Sequence, residues 1–107
     1  MITRIWHGWT DLEKADAYET LLREEIFTGI AERGIAGFNG IRLLRRETGG
    51  EVEFVTLMEF DSMNAVREFA GEDYELAVVL DEARALLVRY DEKSQHYELV
   101  VRSSTQS

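Results

Sequence analysis

Apolar positions recur along this chain with two different periods, and the switch from one to the other marks its elements. Ile2 to Trp9 is rich in β-branched and aromatic residues, carries Arg4 as its one charge, and reads as a strand. Thr10 followed by Glu13 has the form of a capping box, with Asp11 beside it to favour a helix N-terminus. Ala15, Tyr18, Leu22, Ile26 and Ile30 then recur at steps of three and four, which predicts an amphipathic helix running toward Gly34. Gly37 to Glu47 and Glu51 to Phe60 are strand-like, and the Thr48-Gly49-Gly50 turn between them predicts a hairpin. Asp61 or Ser62 caps a second helix through Ala70, with Val66 and Phe69 on its buried face and Gly71 at its end. Glu72 to Leu80 fits a buried loop, a strand or a helical turn. Asp81 to Tyr90 predicts a short third helix, and Ser94 to Val101 a last strand.

The order is β-α-β-β-α-(α)-β, an α+β ferredoxin-like arrangement with a four-stranded antiparallel sheet and helices on one face. Right-handed crossovers place the first and third strands centrally and the last strand beside the first. A sheet covered on one face alternates apolar and polar residues. Here Leu43-Leu44, Val55-Thr56-Leu57-Met58 and Leu99-Val100-Val101 do not alternate. The helices can cover one face only, so the other implies a second copy packed sheet to sheet, a homodimer closing into a dimeric α/β barrel. The expected domain spans 1–101, followed by a flexible tail over 102–107.

Composition narrows the classes. The chain has 107 residues, 12 basic and 21 acidic, for a net charge of −9. That charge repels phosphate backbones and anionic lipid, so neither nucleic acid nor membrane is expected as a partner. The absence of cysteine removes thiol nucleophiles, disulfides, iron–sulfur clusters and cysteine-bound zinc, and fits a cytoplasmic location. Neither a dinucleotide fingerprint nor a nucleophile elbow is present.

The candidate chemistry rests on aromatic and imidazole side chains. A register placing Ile2 against Val101 across the first and last strands also sets His7 against His96 and Trp6 against Tyr97. Two imidazoles on one face, near Trp9, would suit proton transfer at neutral pH, although a structural or interface role is the commoner fate of a strand histidine. With Glu98 or Glu59 they could outline a facial triad, but no helical ligand spacing supports a metal. Tyr74, in the connection after the second helix, could hydrogen-bond a substrate oxygen or plug the core. Arg42, Arg45 and Arg46 could steer an anion, or form ion pairs with Glu47, Glu51 or Glu53. The acids Glu13, Asp16, Glu19, Glu24 and Glu25 read as a solvated helix face.

The stretch Phe69-Ala70-Gly71-Glu72-Asp73-Tyr74-Glu75, with Ala77-Val78-Val79, Glu82-Ala83-Arg84, Leu86-Leu87, Asp91-Glu92 and His96-Tyr97-Glu98, resembles small bacterial proteins of the antibiotic biosynthesis monooxygenase family. Gly37-Phe38, Gly40, Leu43-Leu44 and Arg45-Arg46 extend the resemblance over nearly the whole chain. It implies a dimeric α+β barrel. For function it implies a cofactor-independent monooxygenase acting on a small electron-rich aromatic of the phenol or hydroquinone type. The alternative is a non-catalytic homodimer that binds a small apolar ligand or another protein. The haem-degrading branch uses an Asn on the first strand and a late-helix His, whereas this chain has His7 on that strand and no His between Asp81 and Tyr90. On the enzyme reading, His7, His96 and Tyr74 are the candidate catalytic residues, Trp6 and Trp9 line the substrate pocket, and no cofactor or metal is expected.

Overall fold

Residues 1–104 are described by the structure, a computed structural model. The sheet follows the order β2 (Phe38–Thr48), β3 (Glu51–Phe60), β1 (Ile2–Asp11), β4 (Arg89–Tyr90), with β5 (Gln95–Glu98) also on β1. All pairings are antiparallel, with β1 and β3 in the middle as the crossover rule requires. The β2–β3 hairpin turns at Gly49 and Gly50, whose φ angles of 59° and 81° match a type I′ turn that residues with a Cβ resist.

The last quarter of the chain departs from expectation. The third helix (α4) covers only Asp81–Arg84, because Leu86 and Leu87 turn inward and Arg89–Tyr90 joins β1. β4 thus arises within the expected third helix, and the expected last strand over Ser94 to Val101 is reduced to β5, making the sheet five-stranded rather than four. β5 stops at Glu98, and Leu99 follows with its N–H donating to Met1 O at 2.9 Å. Glu72 to Leu80 is an irregular segment held by a bridge between Leu76 and Lys93. Of the expected tail, Arg102 donates to Glu59 at 3.4 Å, and residues 105–107 lie outside those described.

The first helix is built in three parts: α1 (Ala15–Leu21), a π-helical turn (Leu22–Ile26) and α2 (Phe27–Glu32). Its sequence explains the wide turn. Tyr18, Leu22, Ile26 and Ile30 are spaced by fours, and each such step drifts by about 40° on a regular α-helix. A π turn takes up that drift and keeps the row facing the sheet. The capping box does not form: β1 runs on through Asp11, and the Asp11 carboxylate accepts from Lys14 N at 2.8 Å instead. α3 (Met63–Ala70) begins as predicted, with Ser62 Oγ accepting from Ala65 N.

Inward positions of β3 are Val52, Phe54, Thr56, Met58 and Phe60, and they divide the interior. Tyr18, Leu22, Val52 and Phe54 form one buried cluster, with the Tyr18 and Phe54 rings 4.8 Å apart in edge contact. Met58, Phe60, Val66 and Phe69 form another. Thr56, the small residue between Phe54 and Met58, stands where the two clusters fail to meet. The opposite face of the sheet carries Ile5, Trp9, Leu44, Val55 and Leu57, none of them buried and none covered by a helix.

Candidate functional site

Over Thr56 lies a cavity of about 350 Å³ between the helices and the sheet. Its floor is Arg4, Trp6, Ile41, Thr56 and Met58; Tyr18, Leu22, Ile26 and Phe27 wall one side, and Val78 to Leu80 roof it. The exposed Glu25 and Glu82 also border it, so it opens to solvent between the π turn and α4. Burial pushes the Tyr18 phenol well above its ordinary range, so this wall residue stays protonated. Gly8 makes Trp6 possible here. A Cβ at Gly8 would come within 2.8 Å of the Trp6 ring, and the indole N–H donates to Asp91 O at 2.7 Å.

Arg4, only 3% exposed, is the unusual member of this wall. Its Nη1 donates to Tyr74 O at 2.6 Å and meets His96 Nε2 at 2.9 Å, while Nη2 donates to Leu76 O at 3.1 Å. The guanidinium thus ties the roof segment to the sheet. Among the described residues no carboxylate lies within ion-pair distance of it. Burial lowers its pKa to about 10, so it remains cationic at neutral pH. Arg4 and Arg33 each lie 5.4 Å from the centroid of the Phe69 ring. Ser94, 5% exposed, also borders the cavity, and its Oγ is buried without a hydrogen-bond partner.

The residues singled out from sequence are dispersed. β5 pairs with β1 so that Arg4 faces His96, Thr3 faces Tyr97 and Ile2 faces Glu98, three residues from the expected register. The pairing of His7 with His96 and of Trp6 with Tyr97 is thereby overturned. The cause is the β4–β5 split, since residues 91–94 leave the sheet and shorten the ladder. Directly opposed residues share a face, so His96 lies on the helix side with Arg4. His7, an odd residue of β1, lies on the opposite face. A triad built on both imidazoles is excluded by this geometry, and among the described residues no three His, Asp or Glu side chains converge as metal ligands would.

Burial and the positive charge of Arg4 lower the His96 pKa, against a smaller upward pull from Glu75. Neutral His96 can then accept from Arg4 at Nε2. The Tyr74 ring meets His96 edge-on at 5.3 Å, and both border a shallow depression behind Arg4 rather than the cavity. On the open face, His7 Nδ1 is 3.1 Å from Asp91 and Nε2 is 4.0 Å from Glu53. Its ring stacks with Trp9 at 6.1 Å, and the Arg89 guanidinium lies 4.4 Å over Trp9. Trp6 is the one predicted site residue that lines the cavity. The basic strand is used structurally: Arg46 pairs with Glu53, Arg42 with Glu59, and Arg45 reaches Asp16 and Glu19 on α1.

Arg4 and Ser94 were not singled out by sequence as site residues. Arg4 had a readable signal, as a lone charge at an inward position between Ile2 and Trp6. Ser94 had none, because its burial comes from the loop that Arg4 holds down.

Fold and cavity together define a small ferredoxin-like α+β domain with a ligand-sized interior space. A Bacillus cereus protein, provisionally described as an antibiotic biosynthesis monooxygenase, shares this fold with a TM-score of 0.68 and 15% identity, over 99% of this chain and 98% of that one. Rv0793 from Mycobacterium tuberculosis does so with a TM-score of 0.62 and 20% identity, over 96% and 98%. The ferredoxin-like α+β fold of the single chain, as expected from the sequence, is the fold observed. No protein-family model matches the chain, and no curated relative matches it.

Proposed function

We propose that the protein is a small-molecule monooxygenase whose substrate, an electron-rich aromatic of the phenol or hydroquinone type, occupies the cavity over Thr56. The observation that carries this reading is a largely apolar space of about 350 Å³ that opens beside Glu25 and Glu82. That volume sits at the small end of ligand pockets and holds roughly two fused rings. The Bacillus cereus neighbour's description supports the same reaction class.

The reaction balances without an added reductant. A phenol and dioxygen give a quinone and water: one oxygen atom bonds to the ring, the other leaves as water, and the substrate supplies all four electrons. The protein's part is to desolvate and orient the ring against Trp6, Tyr18 and Phe27 while the phenolic proton leaves through the acidic opening. His96 lies behind Arg4 and acts as a positioning residue, holding the guanidinium through Nε2. Tyr74 holds it through its carbonyl. His7 and Trp9 belong to the open sheet face, where a second copy of the chain packs to form the homodimer.

Oxygen uptake with a panel of hydroquinones, some bearing a ring carboxylate and some not, compared with anaerobic quinone formation, tests this reading. Uptake should depend on the protein and fall at least about tenfold in Thr56→Leu, whose longer side chain enters the cavity. Uptake that is no faster than without protein across the panel overturns it.

A further inference from the structure

Arg4 and Ser94 together leave the cavity with an unanswered polar demand. An arginine has five N–H donors in a planar fork, and three of those on Arg4 are directed to Tyr74 O, Leu76 O and His96 Nε2. Two donors and a full positive charge remain, with no carboxylate in reach among the described residues. Buried cations are ordinarily paired, and buried hydroxyls ordinarily hydrogen-bonded. Ser94, which borders the same cavity and the depression behind Arg4, breaks the second rule at its Oγ. The rest of the lining is largely hydrocarbon and aromatic, and the mouth is acidic through Glu25 and Glu82.

We infer that the cavity selects an apolar molecule carrying a single carboxylate, which seats between the free edge of the Arg4 guanidinium and the Ser94 hydroxyl. A carboxylate accepts from both groups at once and neutralises the buried charge, and charge-assisted hydrogen bonds of this kind are the strong ones. Leu22, Ile26, Phe27 and Met58 take the apolar body. Glu25 and Glu82 penalise a second negative charge at the entrance, so the ligand is a monoanion. The inference rests on the cavity being the ligand site, as proposed above, but not on turnover. For the proposed reaction it makes the substrate an aromatic acid whose carboxylate fixes the ring's orientation.

The test is calorimetric titration of the full chain with naphthoate and with its neutral isostere naphthamide. Naphthoate should bind about tenfold more tightly or better. Ser94→Ala should weaken naphthoate several-fold and naphthamide by less, since the amide makes no charge-assisted bond, and Arg4→Met should abolish the preference. Arg4 also anchors two roof carbonyls, so Ser94→Ala, which removes a group with no protein partner, decides the matter if Arg4→Met does not fold. Equal affinities for the two probes, binding of neither, or a Ser94→Ala variant that holds naphthoate as the parent does would each overturn the inference. A naphthoate preference without oxygen uptake overturns the oxygenase reading alone. Uptake with hydroquinones but no naphthoate preference overturns this one alone.

Discussion

Ser94 carries a hydroxyl that gains nothing from the fold, since burial strips its water and no protein group replaces it. Ser94→Ala is therefore expected to leave the thermal midpoint unchanged or raise it, by up to about 1 kcal/mol in stability, as read from thermal melts. His96 gives the residue scale its pH dependence. Its pKa is lowered in the folded state from an ordinary value of 6.5, so in the window below 6.5 the unfolded chain binds more protons. Its contribution to stability is complete above that pH and declines as pH falls toward the folded value. Melts of His96→Gln between pH 7.5 and 5 should show a shallower decline than the parent; identical slopes would contradict the lowering of the His96 pKa by burial and by Arg4. Neither residue's setting was visible in sequence. His96 was legible as a possible proton carrier, but its partner is fixed by a strand register three residues from the expected one, an odd step that also sets it on the face opposite His7.

Elements were legible where local chemistry and periodicity agree. The Gly49-Gly50 turn is such a case, and Gly50→Ala, at φ 81°, should cost about 1 kcal/mol in denaturant unfolding. The Ser62 cap and the inward face of α3 are others. The first helix was legible as a helix, and its fours spacing held the reason for the π turn. Legibility failed where long-range pairing overrode local preference. Asp81 to Tyr90 has helical composition, yet only four of its residues are α-helix, because Arg89–Tyr90 finds open backbone groups on β1 beside Gly8 and Trp9. The gain is two paired positions on β1, the flanking bonds from Val88 N to Trp9 O and Asp91 N to His7 O, and inward packing of Leu86 and Leu87, which a local pattern cannot register.

At the scale of the molecule, two features remain unfilled: the cavity inside and the bare sheet face outside. Thr56→Leu should raise thermal stability if the space is empty, and block naphthoate binding if the space is the site. The face bearing Ile5, Trp9, Leu44, Val55 and Leu57 supports association of two copies, as its failure to alternate suggested. Sedimentation of the parent should give a dimer at micromolar concentration, and Leu57→Lys a monomer with unchanged far-UV circular dichroism. A monomeric parent would remove the homodimer.

Sequence alone determined the α+β order, the central strands, the hairpin and the two-faced apolar sheet, because these follow from periods of two and of about 3.6 and from turn residues acting over a few positions. Tertiary structure alone decided the site. Arg4, Thr56 and Ser94 lie 52 and 38 residues apart in succession, and only the ladders from β3 through β1 to β5, with the roof segment folded over them, bring a buried charge, a gap and an unpartnered hydroxyl to one wall. The same three-residue difference in register that separates His7 from His96 sets Arg4 against His96. Pairing between distant strands depends on how residues 91–94 leave the sheet, and no local pattern carries that information.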